Sequence, residues 1–469
     1  MAKADNNNVM ASLTAKIYEL MTAPDEINPG VPKEDNVFYS FAAPGVPINP
    51  SDLALGDGTT TAEVTAAAVF SQLVNNVPNP DKAWNRTETK VWDVYERAIT
   101  NIDLPDSKLS DDEQSMLKKA QDYLVQTVTK KNPFTDKDET TTGPSPAVKA
   151  YDTYMGSYKA ALQAFNSARI QANSPTATPE VVQNFNMNGP TMRDTVVAAY
   201  QKWEGEGNKG YVEQARGIIG NLTSKGPEAM YANMRANFKM ARAEHPQLGT
   251  YLPTWYFPEG VLGPNYANSW TKFYFTKDDV STTTHNSSTS WGASASGSWG
   301  LWHASASAQY GSESSDYQCD TENMGLSCEL VQIPISRPWL NGLIFKSHGW
   351  KWAESSGFGP ISNGENPPNL DGMMPIFPTA MIVARNVKIT LDMTSEHNTA
   401  AMKSISTSAS GGWGPFSVSG NYSHKESTST HDYTATGSGL EIPGAQIIAF
   451  VCDRLPLCPS PDPNLPWIS

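Results

Sequence analysis

The side chains of this chain that can ligate a metal or act as nucleophiles are seven histidines, four cysteines and a scatter of carboxylates. Their spacing argues against an assembled centre. His245, His285, His303, His348, His397, His424 and His431 contain no HExxH pair or other metal-binding interval. There is no GxSxG elbow and no GxxxxGK[ST] loop, so neither an activated serine nor a phosphate cradle is indicated. The one GxGxxG match, Gly205 to Gly210, follows an expected helix where a dinucleotide site needs a strand, and it reads as a helix-ending loop. Asp278 with Asp279, and Glu313 with Asp316, have the composition of paired acids and equally of a solvated surface. The expectation is a protein that is not an enzyme, with no catalytic, cofactor-binding or metal site.

Cysteine chemistry leaves two readings. Cys319 and Cys328 form one close pair in sequence, Cys452 and Cys458 another, and neither spacing is that of a zinc knuckle or a redox CxxC. They are two local disulfides, or a bridge between the pairs, in an oxidising environment, or else four buried thiols in a cytosolic protein. The N-terminal MAKADNNNVMASLTAKIYEL lacks the basic start, apolar middle and cleavage site of a secretory signal. A cytoplasmic protein, or one exported by a signal-independent route, is expected.

The most informative pattern occurs twice. Residues 288–312 read STSWGASASGSWGLWHASASAQYGS and residues 404–424 contain SISTSASGGWGPFSVSGNYSH, sharing SG[SG]WG[LP][WF] followed by resumed alternation. Gly300-Leu301 and Gly414-Pro415 each fit a two-residue type II′ turn, with glycine supplying the positive φ. That turn sets the register. Trp299 faces Trp302, Gly297 faces Ala304, Ala295 faces Ala306, Ala293 faces Ala308 and Trp291 faces Tyr310, with serines on the other surface. In the second copy Trp413 faces Phe416, Gly411 faces Val418, Ala409 faces Gly420 and Thr407 faces Tyr422.

Serine on one face, small or apolar groups on the other and aromatic rows at both ends is the pattern of a membrane-crossing hairpin. Eight residues separate the aromatic rows, about 27 Å of strand, or roughly 19 Å of depth at a 45° tilt. Over fewer than fifty residues the pattern resembles the inserting hairpins of β-barrel pore-forming toxins. That resemblance implies a homo-oligomer that inserts into lipid through these two elements. The same small-residue faces also suit hairpins packed closely inside a β domain, or strands that stack protomers into a filament, sheath or inclusion without a membrane. Trp339, Trp350 and Trp352 could stack on a glycan, or form core. Met373 and Met374 read as core filling.

These hairpins need elements to position them, and the composition divides accordingly. The chain has 469 residues, 17 % charged and 39 % hydrophobic, with a formal charge of −14, so it repels nucleic acid on average and no nucleic-acid partner is expected. No run of eighteen apolar residues exists, which excludes helical spans and says nothing of β-hairpins. Ten of the thirteen tryptophans follow residue 250. Helix formers dominate 1–250, where helices are expected near 9–21, 62–74, 80–100, 110–131, 148–172, 190–204 and 227–243. Ser110 and Glu113 form a capping box at the start of one of them. LVQIPIS, GLIFKSHGW, AMIVARNVKITL and QIIAFVC read as strands of a mostly antiparallel domain over 251–455, and 456–469 as a Pro-rich extended tail. The expected class is α+β, a helical bundle followed by a β domain that carries the two hairpins.

Overall fold

The computed structural model describes residues 6–21, 37–53, 55, 60–79, 84, 89–105, 109–131, 136–172, 177–223, 227–257, 260–263, 270–282, 302–303, 324–366, 369–391, 399, 411–418, 433–436 and 438–467. The chain opens with α1 (Asn6–Met21), β1 (Val37–Ile48), α2 (Thr61–Val74) and α3 (Val91–Thr100). Strand β2 (Ile102–Asp103) precedes α4 (Asp111–Leu124) and a hairpin of β3 (Val125–Lys131) and β4 (Asp138–Pro144). Then come α5 (Pro146–Ala172), α6 (Pro179–Gly205), α7 (Lys209–Thr223) and α8 (Pro227–Ala241). Short strands β5 (Ala243–His245), β6 (Gly249–Tyr251) and β7 (Trp255–Tyr256) lead to β8 (Thr271–Thr276) and α9 (Lys277–Thr282). The remainder is β9 (Trp302–His303), β10 (Gly325–Ser336), β11 (Lys351–Trp352), β12 (Ile376–Thr390), β13 (Gly412–Trp413), β14 (Phe416–Ser417), β15 (Thr434–Thr436), β16 (Gly439–Ile442) and β17 (Ala445–Arg454).

The fold is α+β, and its main sheet is antiparallel. The order is β1, β17, β12, β10; β7 and β8 pair with successive parts of β10, and β16 lies beside the far end of β12 carrying β15. Away from the end that carries Thr276 and Thr390, both faces of this sheet are covered, which is why its central strands read as near-continuous apolar runs. Along β12, Met381 and Val383 enter one core with Val331, Ile333, Ile447 and Phe450, packed on α2, α3, α7 and α8. Ala380, Ile382 and Ala384 enter the opposite core with Leu326, Cys328, Leu330, Ile448 and Val451, beneath α1. The 27-residue helices α5 and α6 form a separate antiparallel arm, about 40 Å long, around Tyr158, Phe165, Val196 and Trp203.

Several expectations are corrected. Residues 1–250 are not purely helical: Val37–Ile48 is a sheet strand paired with β17, and α1 packs on the sheet. The first core draws on residues from both sides of position 250, so the two compositional regions share it. The helix expected to run to 131 ends at Leu124, because Val125, Thr127, Val128 and Thr129 are β-branched and find partners in Pro144, Thr142, Thr141 and Thr140. Its capping box is as expected: Ser110 Oγ accepts from Glu113 N, and Glu113 accepts from Ser110 N. Pro190 is interior to α6, which starts at Pro179 behind the Thr178 cap. The helical carbonyl left free by Pro190 belongs to Asn186, an exposed residue that water can satisfy. GLIFKSHGW is not a strand; Gly342–Lys346 is a 3-10 turn, with Asn341 Oδ1 accepting from Leu343 N.

The tail is strapped down. Cys458 is buried and exchanges backbone hydrogen bonds with Ser362, and Trp467 bridges to Pro105. Arg337 ties the end of α2 to the sheet, donating from Nε to Asn75 Oδ1 at 2.7 Å, from Nη1 to Pro378 O at 2.7 Å and from Nη2 to Val74 O at 3.0 Å. Burial pulls this guanidinium down to about 9, which still leaves it protonated at neutral pH.

Two glycines in one row of the sheet separate backbone necessity from tolerance. At Gly439, φ is +145° and a Cβ would overlap the Ile389 carbonyl, whereas at Gly325 a Cβ would meet the Thr390 side chain in ordinary contact, Cβ at 3.6 Å and Oγ1 at 3.7 Å. Gly439→Ala is expected to cost at least about 3 kcal/mol and Gly325→Ala under about 1 kcal/mol, read by denaturant unfolding. Equal effects would refute the stated backbone at β16.

Candidate functional site

The site is the end of the sheet from which both repeated segments leave. Thr276 in β8 pairs with Gly325 in β10, Gly325 with Thr390 in β12, and Thr390 with Gly439 in β16. The first segment is the connection from Thr276 to Gly325 and the second that from Thr390 to Gly439, each of 48 residues. Counting 24 residues inward from both ends of the first reaches Gly300 and Leu301. The same count in the second reaches Gly414 and Pro415. These are the loop residues that the side-chain pattern selects. Base register and tip register therefore agree in both segments, and one inserted or deleted residue in any arm would break the agreement.

The tips carry the agreement further. β13 pairs with β14 through Trp413↔Phe416 and Gly412↔Ser417, and with β9 through Trp413↔Trp302 and Gly412↔His303. The strand order β9, β13, β14 repeats that of β10, β12, β16 at the base. From Gly325 back to Trp302 is 23 residues, as is the count from Thr390 on to Trp413, so the pairs between the two segments at base and at tip fall in one register.

The second tip is stowed against the sheet it leaves. Residues 411–418 are all buried; Trp413 and Phe416 are stacked at 6.5 Å and 19° within the core beneath α1. Gly414, with φ +54°, presents its Cα to Met10 and Leu13 of α1, where a Cβ would meet Met10 Cε at 3.3 Å. Val418 N donates to Gly411 O at 2.9 Å, and Ser417 N to Gln446 Oε1 of β17 at 2.6 Å. Trp413 Nε1 is buried without a hydrogen-bond partner, a cost of about 1–3 kcal/mol.

Helix α1 touches the base as well as the tip. Lys16 Nζ pairs with Asp279 Oδ1 at 2.7 Å, with both side chains nearly buried, and Asp279 Oδ2 accepts from Thr276 N at 2.7 Å. Thr276 is the last residue of β8. One lysine thus links the helix over the second tip to the start of the first segment.

Of the residues expected to form the hairpins, Trp413, Phe416 and Val418 are brought together here, and Trp302 joins them through its backbone. Trp291, Ala293, Ala295, Trp299, Ala304, Ala306, Tyr310, Ala409 and Tyr422 lie outside the described residues, as does Cys319. Cys328, Cys452 and Cys458 are buried free thiols, which excludes the Cys452–Cys458 bridge in this structure. Cys328 lies in the core on the α1 face, and Cys452 and Cys458 lie in the opposite core. Burial pushes the Cys458 thiol up to about 12, and Cys328 and Cys452 higher still. Trp339 and Trp350 are core residues, with Trp339 packed on Trp92, Tyr95 and Phe238, so neither presents its ring at the surface. Met374 is likewise fully buried.

Away from the arms, a cleft of about 2040 Å³ runs between the α4, α5 and α8 side of the helical layer and the sheet. In it Arg216 lies over the Tyr151 ring at 4.9 Å, and the Asp152 carboxyl is raised from 3.8 to about 6 by burial, partly opposed by Arg216. Among the described residues no cluster of His, Cys, Asp and Glu could hold a metal, and no helix is long and apolar enough to cross a membrane. Comparison with protein-family models, curated proteins and solved structures returned no match.

Two measurements follow. Because the folded carboxyl of Asp152 holds its proton to higher pH than the unfolded one, stability falls as pH rises from about 4 through about 6. Asp152→Asn should remove that slope and add about 2–3 kcal/mol at pH 7, read by urea unfolding across pH. Lys16→Met should cost about 2–3 kcal/mol, and adding Asp279→Asn should cost much less than it does alone, read as a double-mutant cycle.

Proposed function

We propose that this chain is a non-enzymatic, oligomerising protein that inserts into membranes to form a pore, with the segments around 288–312 and 404–424 as inserting hairpins. The observation that carries this reading is the common register: four neighbouring strands leave one end of the sheet, and the pairing at their base predicts both turns 24 residues away. Fully extended, such arms reach about 80 Å beyond the sheet, whereas a bilayer needs only about 9–11 residues per strand. The outer 11 or so residues of each arm are those with the serine and alanine faces and the aromatic ends. Trp413 Nε1, unpaired in the core, would gain partners at a membrane interface, where tryptophan is favoured.

The full burial of residues 411–418 favours a second reading, a structural polymer whose hairpins stay folded and join protomers without lipid. Dye release from liposomes, with electron microscopy of the same sample, separates the two. Leakage with ring-shaped particles is expected, and Ala295→Asp or Ala306→Asp should reduce leakage at least tenfold while circular dichroism and unfolding midpoint match the parent. Ordered polymers that never release dye would overturn the pore reading in favour of the polymer.

A further inference from the structure

The four strands that feed the arms end in two edges, and each edge is closed by a short element formed where an outer arm departs from the common register. At one edge β8 continues into α9, which packs on α1 through Lys16–Asp279, while Ser167 Oγ of α5 donates to the outer carbonyl of Lys272 at 3.0 Å. No strand among the described residues pairs with β8 on that side. At the other edge β15 folds back on β16 through Thr434↔Glu441, Ala435↔Leu440 and Thr436↔Gly439. In the register that links base and tip, those same three residues would instead continue the line of β16 toward the turn. Leu391 N donates to Ser438 O at 3.0 Å, one further rung of that register, immediately before β15 turns away. All three residues of β15 are exposed, so little side-chain burial holds it.

We infer that these edges are an interface for a second copy of this chain: β8 of one copy takes the place of β15 against β16 of the next. Strand direction permits it. β8 runs toward the arms and β16 away from them, so the new pair is antiparallel like every other in the sheet. Tyr274, Ser327, Lys388 and Glu441 form one row across the four strands, on the exposed face, and the next copy's Tyr274 follows Glu441 in that row. Because the two edges differ, the contact is head-to-tail, and it generates a ring if the rotation closes or a filament if it does not. The inference rests on the proposed self-association and not on membrane insertion.

Disulfide trapping tests it. Tyr274→Cys and Glu441→Cys, made as separate single variants, cannot cross-link within one molecule, since three strand spacings of about 4.8 Å exceed disulfide reach. Mixed and oxidised with phosphatidylcholine vesicles, they should give a band of twice the chain mass that is at least tenfold weaker for either variant alone or for the wild type. In a second protein, Thr434→Cys with Glu441→Cys bonds β15 to β16; oxidised it should stay monomeric by light scattering, and reduction should restore assembly. Assembly without the mixed cross-link, assembly unchanged by the locked hairpin, or a wild type that stays monomeric with and without vesicles would each overturn the inference. Cross-linked assemblies that release no dye would overturn the pore reading alone and leave this interface standing.

Discussion

Register in the central ladder is the constraint on which the rest of the structure depends. Through their central residues β10, β12 and β17 are buried on both faces, and the side chains there divide between two different cores. A slip of one residue would exchange Ile382 with Val383, and every residue of that strand with its opposite core. The sheet adjusts at discrete irregularities: between Ser327 and Glu329 where β10 meets β12, between Pro378 and Ala380 and between Ile382 and Val383 where β12 meets β17, and between Phe41 and Val46 where β1 meets β17. Beyond them, toward Thr276, Gly325, Thr390 and Gly439, pairing is regular. The positions at which the arms leave are therefore dictated by core packing far from the arms.

Energetics decides the order of events such arms can follow. Lifting Trp413, Phe416 and Val418 out of their core forfeits on the order of 6 kcal/mol, taking about 2 kcal/mol per side chain. The Ala and Gly faces of the arms return little by transfer to lipid, because they bury small areas. An arm pair inserted by one copy would also carry two open strand edges into hydrocarbon, at several kcal/mol for each unpaired backbone group. That penalty is far larger than the burial at the tip. In the proposed insertion, pairing between copies would come first, because it removes the edges before the backbone meets lipid.

What the sequence made legible follows the range over which each signal acts. The turn at Gly414-Pro415, the Ser110 capping box and the runs that became β10, β12 and β17 rest on residues within a few positions of one another. β1 was not legible: Val37–Ile48 contains Pro44 and Pro47, and what makes it a strand is β17, about 400 positions later. The same holds for Arg337, whose acceptors are Asn75, Val74 and Pro378, and for Lys16 with Asp279. Composition placed the duplicated tips on the second part of the chain, but the helix that covers one of them lies at the opposite end of the sequence. The stowage of the tip is a tertiary fact with no local signature.

The two repeated segments differ at their tips in a way that bears on which is held more firmly. Gly414 is followed by proline in the second, which cannot donate a hydrogen bond and presents its carbonyl to Gly45 of β1, while Gly45 and Gly412 leave no room for a side chain between the tip and that strand. The first segment is restrained at its base through Asp279 and the α9 turn, and its described tip residues, Trp302 and His303, pair with β13. α1 contacts the second tip at Met10 and Leu13 and the first base at Lys16, the next turn of the same helix. Withdrawing that one helix uncovers the second tip and frees the first base together, so the two segments are coupled through a single element and not through each other alone.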